Sequence, residues 1–269
     1  MSVVAIIGTG GMGLACARRL GSGRRLVVGD HDRDRLAEVV AVLGEEGHDA
    51  LDQPVDVVDP FSVQAFAARA VAEGPLAAVV HTAGLSPTMA SGDAVLRVDL
   101  VGTAHVLDAF VPHVTDGTVV VCIASMAGHM WPMDAATEVR MAHLPAAELV
   151  EAAALGDSPD PGLAYAFAKR ANLARVKGMA AAYGARGARV VSVSPGMIST
   201  GMGRQEFEQQ PVMAEMLASS PLRRLGTPDD IAAAVEWLVS PAASFVTGTD
   251  LLVDGGVVAA NTVRDPAAG

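Results

Sequence analysis

Lysine and tyrosine are nearly missing from this chain. Of 269 residues only two are tyrosine, and of nineteen basic residues only Lys169 and Lys177 are lysine, so each of these few residues is conspicuous. Cysteine is equally scarce. Cys16 and Cys122 fall within apolar periodic stretches, which reads as two buried thiols rather than a disulfide framework. No Cys/His cluster has metal-ligand spacing and the seven histidines are scattered, so no metal is expected. The formal net charge is −11, and no lysine-rich or arginine-rich block is long enough to follow a phosphate backbone, which argues against a nucleic-acid partner. Although 51% of the residues are hydrophobic, no uninterrupted apolar run approaches a bilayer-spanning length of roughly 18 to 20 residues. The opening MSVVAIIGTGG lacks the basic residues and the small-residue cleavage site of a signal peptide. A soluble cytoplasmic protein without a membrane partner is the expectation.

Short β-branched runs alternate with helix-length amphipathic segments. Strands are expected at 3–7, 25–29, 76–82, 117–125, 188–194 and 249–254, with a weaker candidate at 51–57. Helices are expected near 12–21, 32–46, 60–73, 93–111, 164–186, 206–218 and 227–239. Continuous apolar strands separated by helices predict a parallel sheet buried on both faces. The whole chain, 1–269, therefore reads as one α/β domain, a doubly wound Rossmann fold of about seven strands. Only RDPAAG at the end looks frayed.

Directly after the first strand comes GTGGMG. Gly8, Gly10 and Gly13 satisfy G-x-G-x-x-G, with Gly11 and Met12 inside the turn. Glycines there let the backbone approach a pyrophosphate, and the helix that follows offers free N–H groups to the anion. Asp30 closes the second strand, where a carboxylate accepts hydrogen bonds from ribose hydroxyls and repels a 2′-phosphate. NAD is favoured, and Arg33 leaves NADP open.

Tyr165 and Lys169 stand four residues apart in GLAYAFAKRANLARV, on one face of a helix. A nearby ammonium stabilises phenolate and brings a tyrosine toward the working range of a general acid or base. A lysine at this position is notable in a chain that otherwise uses arginine.

Taken together and in order, GTGGMG, YAFAK, SPGMIST and GTPDDIAAAVEWLVSPAASFVTGTDLLVDGG resemble the short-chain dehydrogenase/reductase family over nearly the whole chain. The resemblance implies a nicotinamide cofactor and reversible oxidation of an alcohol to a ketone or aldehyde. It makes Tyr165 the acid/base, Lys169 its cation and ribose contact, and Ser125 the hydrogen-bond partner of the substrate oxygen. Asp99 takes the place of the asparagine of the catalytic tetrad, a residue that works in the family largely through its backbone carbonyl. Asp56 and Val57 match the adenine contacts. Ala83 and Gly84 flank the cofactor, and Pro195, Gly196, Ile198 and Thr200 match the turn beside the nicotinamide.

The chain departs from the family pattern at several points. The phosphate turn is about one residue short, His81 replaces an asparagine, and Val191 replaces another. Ser125 and Tyr165 are 40 residues apart instead of about a dozen. Residues 129–163 are therefore expected to be an insertion beside the substrate pocket. Met130, Trp131, Met133, Met141, Leu144 and Leu149 would either face a bulky, largely apolar substrate of cyclic, steroid-like or polyketide-like shape, or pack the insertion onto the domain or onto a neighbouring subunit. The expected activity interconverts a secondary alcohol and a ketone with NAD. Two other readings stand beside it: a β-ketoacyl-thioester reductase, with Arg223 and Arg224 as the docking patch, and a non-catalytic NAD-binding regulator. Alanine-rich helical faces at 164–186 permit close packing between copies, so a homotetramer or homodimer is expected.

Overall fold

A computed structural model describes residues 1–201, 203 and 211–262. Seven strands form one parallel sheet: β1 Val3–Ile7, β2 Arg25–Gly29, β3 Asp49–Asp52, β4 Leu76–His81, β5 Val119–Ile123, β6 Arg189–Pro195 and β7 Thr249–Val253, in the spatial order β3-β2-β1-β4-β5-β6-β7. The helices are α1 Gly11–Leu20, α2 Arg33–Glu45, α3 Pro60–Ala72, α4 Gly92–Val95, α5 Gly102–Phe110, α6 Met126–Met130, α7 Ala135–His143, α8 Leu149–Ala153, α9 Pro161–Gly184, α10 Pro211–Ser219, α11 Pro228–Val239 and α12 Val257–Thr262. A π-helical turn, Leu96–Val101, joins α4 to α5.

Successive strand residues point to opposite faces of a sheet, and here both faces are apolar. Val4, Ile6, Leu26, Val28, Val80 and Val121 pack under α1, α2 and α11, while Val3, Ala5, Ile7, Val27, Val79 and Val120 pack under α3, α5 and α9. Double burial is the reason these strands read as unbroken hydrophobic runs. On the second face Phe66 and Phe110 meet edge to face at 6.4 Å. Tyr183, one of the two tyrosines, is buried there and donates to the Leu107 carbonyl at 2.8 Å, pinning α9 to α5.

Strand order reverses between β1 and β4, so the carboxyl ends of these two strands open a crevice, the usual ligand position in such sheets. Gly8 and residues 82–84 leave the sheet side by side at that point. Gly8 has φ +102°, and a Cβ there would lie 2.5 Å from the Ala83 nitrogen, so only glycine fits.

Two expectations shift. The strand expected at 51–57 is Asp49–Asp52, because Pro54 has no N–H to give the ladder, although Gln53 and Val55 still donate to Val28 and Asp30 carbonyls at 2.9 and 3.0 Å. The helix expected at 206–218 is Pro211–Ser219 as far as it is described; residues 206–210 and the RDPAAG end lie outside the described residues.

Residues 129–163 carry α7, α8 and a 3-10 turn at Ala146–Glu148. Met141 and Leu149 are fully buried, and with Leu96, Leu100, Phe167 and Ala171 they form a separate core against α9 and the π turn. Trp131 meets Phe167 edge to face at 6.3 Å. Glu138 of α7 binds Arg170 at 3.0 Å and Lys177 at 2.7 Å on α9. Packing is close enough that a Cβ at Gly178 would lie 2.7 Å from the Ala142 carbonyl. The alanine-rich face of α9 expected between copies is thus covered over Ala164–Gly178 by α4, the π turn and α7 of the same chain. Among the described residues no helix is long and apolar enough to cross a membrane, and no group of three His, Cys, Asp or Glu is placed to hold a metal.

Candidate active site

A cavity of about 710 Å³ runs from the glycine turn to Tyr165. Of the residues singled out in the sequence, Gly8, Gly10, Gly11, Met12, Gly13, Asp30, Asp56, Val57, Ala83, Gly84, Asp99, Tyr165, Lys169 and Thr200 line it. Ser125, Pro195, Gly196 and Ile198 are not part of that lining, and neither is any residue of 129–163. The expected apolar face of that segment is instead in the domain's own core, at Met141 and Leu149 above all.

At one end, helix α1 starts at Gly11 with no side-chain cap and no acidic residue in its first turn, so its free N–H groups face the crevice. A Cβ at Gly10 would meet nothing within 4 Å, whereas one at Gly13 would stand 1.9 Å from the Gly8 carbonyl. Thr82 Oγ1 donates to the Gly8 carbonyl at 3.0 Å and holds the turn from the β4 side. Asp30 Oδ2 accepts from the Thr9 N–H at 2.7 Å and the Thr9 hydroxyl at 2.6 Å, while Oδ1 accepts from the Asp32 N–H at 3.1 Å. Burial favours its neutral form, but the bonds from Thr9 and Asp32 outweigh it and hold the carboxyl below the ordinary carboxylate value. Asp32, not Asp30, caps α2. Free N–H donors, open space at Gly10 and a carboxylate on the next strand fit a dinucleotide, whose pyrophosphate the turn would hold and whose adenosine ribose Asp30 would hold.

Asp56 and Val57 follow β3, and the Val57 carbonyl contacts the His105 ring at 2.9 Å. Ile198 bridges to Gly226, and the Ser199 N–H donates to the Gly226 carbonyl at 2.8 Å, which presents Thr200 to the cavity without placing Pro195, Gly196 or Ile198 on its wall.

At the far end, Tyr165 sits near the start of α9, which Asp160 caps and Pro161 opens. Lys169, one turn later, places its Nζ 5.4 Å from the Tyr165 ring centroid. The ammonium is buried, 3.1 Å from Asp99 Oδ2 and 3.4 Å from the Ile123 carbonyl. Two residues past Ile123, Ser125 caps α6, its Oγ accepting from the Ala127 N–H at 3.2 Å.

Asp99 departs from the role the family resemblance implies. Its backbone carbonyl already accepts from Thr103 Oγ1 and Asn172 Nδ2, both at 2.8 Å, so both lone pairs are taken. Its carboxylate instead binds Lys169, and Oδ1 accepts the Leu85 N–H at 2.7 Å. His81, buried behind, contacts Thr103 Oγ1 at 3.2 Å, and since that hydroxyl donates to Asp99, the ring is the donor. Burial, then the Lys169 charge, push His81 down to about 3 and keep it neutral. Burial disfavours charge on Lys169 too, but attraction to Asp99 and Tyr165 prevails and raises its pKa. Burial lifts Asp99 above the usual carboxylate value, which opposes the pairing. We assign the pair as ammonium and carboxylate, because a 3.1 Å contact plus the Leu85 N–H favours the charged form of both.

Residues 2–136 match the family model described as short chain dehydrogenase, and residues 149–258 match one described as Enoyl-(Acyl carrier protein) reductase. The short-chain dehydrogenase/reductase bsc3 of Alternaria brassicicola is 33% identical over 96% of each chain. The chain belongs to the short-chain dehydrogenase/reductase family. The cis-4-hydroxycyclohexanecarboxylate dehydrogenase of Sinomonas cyclohexanicum is 32% identical over 93% of each chain. In fold, a short-chain type dehydrogenase/reductase from Mycobacterium ulcerans superposes with a TM-score of 0.78 at 24% identity, covering 96% of this chain and 90% of that one. Members of this oxidoreductase family act on alcohol and ketone groups, usually with a nicotinamide cofactor.

Among the residues that sequence reasoning missed are four whose side chains hold groups of this site in place: Thr9 against Asp30, Thr82 against Gly8, and Thr103 and Asn172 against Asp99. Two were within reach, because Asn172 lies three residues past Lys169 and Thr103 four past Asp99, the spacings that share a helix face.

Proposed function

We propose that the protein is an NAD(H)-dependent oxidoreductase that interconverts a secondary alcohol and a ketone on a bulky, largely apolar, cyclic substrate. The observation that carries this reading is one continuous cavity with the glycine turn and Asp30 at one end and the Tyr165–Lys169 couple at the other. When bound, the reduced nicotinamide supplies hydride to the carbonyl carbon. Tyr165 gives its phenolic proton to the carbonyl oxygen, Lys169 stabilises the phenolate left behind, and Ser125 fixes the oxygen with its hydroxyl. Alcohol oxidation runs the same steps in reverse. Leu85, Met89 and Val98 give the cavity apolar wall, and Met126, beside Ser125, packs with Met197, Met213 and Met216 in an adaptable apolar cluster. The relative named for a hydroxycyclohexane acid supports a cyclic secondary alcohol. We read 129–163 as an insertion; the two family models match 2–136 and 149–258, so only 137–148 of it lies outside both. Its role in this reading is to brace α9 rather than to cover substrate.

The pairing of Arg224 with Asp230 at 2.8 and 2.9 Å weighs against the docking patch of the thioester-reductase alternative, since it offsets one of the patch's two positive charges. Intact Tyr165 and Lys169 at the end of an open cavity weigh against a non-catalytic regulator. Two buried unpaired thiols, both pushed up to about 12 by burial, suit a reducing cytoplasmic setting.

The test is a screen of cyclic secondary alcohols with NAD and NADP, on wild type and Asp30→Asn. Wild type uses NAD, and the variant, having lost the charge while keeping an acceptor for Thr9, shows a kcat/KM ratio of NAD to NADP lower by roughly tenfold or more. His31 and Arg35 also line the adenosine end, so equal wild-type use of both cofactors would reassign that end to a 2′-phosphate.

A homo-oligomer, dimer or tetramer, belongs to the same reading, through a different face from α9. Strand β7 is a half-buried sheet edge, and beside it Phe245 is fully exposed and Trp237 is 44% exposed. Such an edge flanked by aromatics calls for a partner. Light scattering is expected to return a multiple of 27.4 kDa for wild type and the single mass for Trp237→Glu/Phe245→Asp. A wild-type monomer at micromolar concentration overturns it.

A further inference from the structure

Lys169 is crowded with titratable neighbours from every element packed against it: Asp99 from the π turn, Cys122 from β5, His81 from β4 and Tyr165 from its own helix. Two of these carry no charge at neutral pH, since burial pushes the Cys122 thiol up to about 12 and His81 down to about 3. Asp99 is therefore the one fixed negative charge facing the ammonium among the described residues, and at 0% exposure solvent does not screen it. Its geometry is fully determined. Thr103 and Asn172 hold its carbonyl, the Leu85 N–H and Lys169 hold its carboxylate, and a Cβ on Gly84 would come within 3.3 Å of both carboxylate oxygens and of Nζ, so the cavity wall closes over the pair.

We propose that Asp99 is a positioning residue that acts through Lys169: by balancing the ammonium charge it keeps Tyr165 protonated to higher pH than a neutral side chain at position 99 would. The proposal rests on the reading of Tyr165 as the proton donor. Its consequence is directional. A protonated phenol is the form that reduces a ketone, and a phenolate is the form that oxidises an alcohol. With the cation compensated, reduction runs at neutral pH and alcohol oxidation gains rate only as pH rises into the alkaline range. The sign follows from charge alone. An isolated ammonium favours phenolate and lowers the tyrosine value; a carboxylate 3.1 Å from that ammonium cancels much of the effect.

The chain's scarcity of tyrosine makes this measurable without substrate or cofactor. Only Tyr165 and Tyr183 absorb as tyrosinate, and burial, first among the causes, raises Tyr183 well above its ordinary value. The near-ultraviolet rise of the full-length protein with pH therefore reports Tyr165 first, and the Tyr165→Phe variant identifies that step by removing it. Wild type is expected to titrate above both Asp99 variants. Asp99→Asn, isosteric and still able to accept the Leu85 N–H, is expected to titrate about one unit lower, and Asp99→Ser in the same direction. A Tyr165 step that stays put in a variant shown to be folded by circular dichroism overturns the proposal. So does a wild-type step already at about 8, which an uncompensated ammonium would produce, and that result needs no variant to fold. Loss of the underlying reading looks different: Tyr165→Phe would then retain turnover on a verified substrate whatever the titration shows.

Discussion

Tyr165→Phe is expected to lose turnover by about a thousandfold or more, in both directions, while binding the dinucleotide as wild type does. General acid or base groups contribute typically 10² to 10⁴ in rate, and here the proton has one visible carrier. Among the buried groups near the reacting end, Lys169 is occupied by Asp99 and the Ile123 carbonyl, His81 is held neutral behind Thr103, and the Cys122 thiol is pushed up to about 12. The phenyl ring keeps what the tyrosine ring does for the fold. It still packs with the cluster around Phe167 and Ala168, and still offers its face to Lys169 5.4 Å away. Stability should therefore change by less than about 1 kcal/mol, the size of one hydroxyl's net hydrogen bond. The measurement is single-turnover hydride transfer beside a fluorescence titration of the reduced cofactor. Full turnover in the variant would move the proton source elsewhere.

Much of this was legible in the sequence, and the parts that were not have identifiable physical causes. Six of the seven strands lie where apolar runs fall: β1, β2, β4, β5 and β6 are buried on both faces and so carry an unbroken apolar signal, and β7, a half-buried edge, is still read through Leu251, Leu252 and Val253. The seventh, Asp49–Asp52, is an edge strand of mixed polarity whose expected continuation is cut by Pro54. In 129–163 the apolar residues are visible but their direction is not. Prolines at 132, 145 and 159 divide the stretch into pieces too short for periodicity to say which side faces α9, and only the folded packing shows that Met141 and Leu149 point away from the cavity.

The candidate site divides in the same way. Glycine turn, Asp30, Tyr165 and Lys169 follow from spacing, since each lies at a strand end or one helical turn from its partner. Asp99 does not. A π-helical turn, common at functional sites, carries it, and the change in hydrogen-bond period there alters which way the side chain projects. The carboxylate thus reaches Lys169 while the carbonyl is left to Asn172 and Thr103, an exchange of roles that no residue pattern announces.

The second large effect concerns the glycine turn, where two neighbouring glycines should fail in different ways. Gly13→Ala places a Cβ 1.9 Å from the Gly8 carbonyl oxygen and 2.8 Å from Thr82 Oγ1. The first of these is backbone, and it has nowhere to go, since Gly8 is itself fixed at φ +102° against the Ala83 nitrogen. Helix α1 must lift away from the turn, which loosens the apolar contact of Ala15, Cys16 and Leu20 with the sheet and moves the N–H groups proposed to hold the pyrophosphate. Overpacking of this kind costs about 1–3 kcal/mol or more, and the lost anion contacts lower dinucleotide affinity by about a hundredfold, at roughly 1.4 kcal/mol per tenfold. Gly10→Ala is the contrast. Its Cβ meets nothing within 4 Å and its φ is −64°, an ordinary value for alanine, so the fold tolerates it. That open space is the side on which the pyrophosphate is proposed to lie, and a methyl group there should weaken binding while thermal unfolding stays near wild type. Calorimetric Tm and cofactor Kd on the two variants separate the outcomes: both quantities fall for Gly13→Ala, and affinity alone falls for Gly10→Ala. Equal affinity for Gly10→Ala and wild type would take the pyrophosphate off this turn.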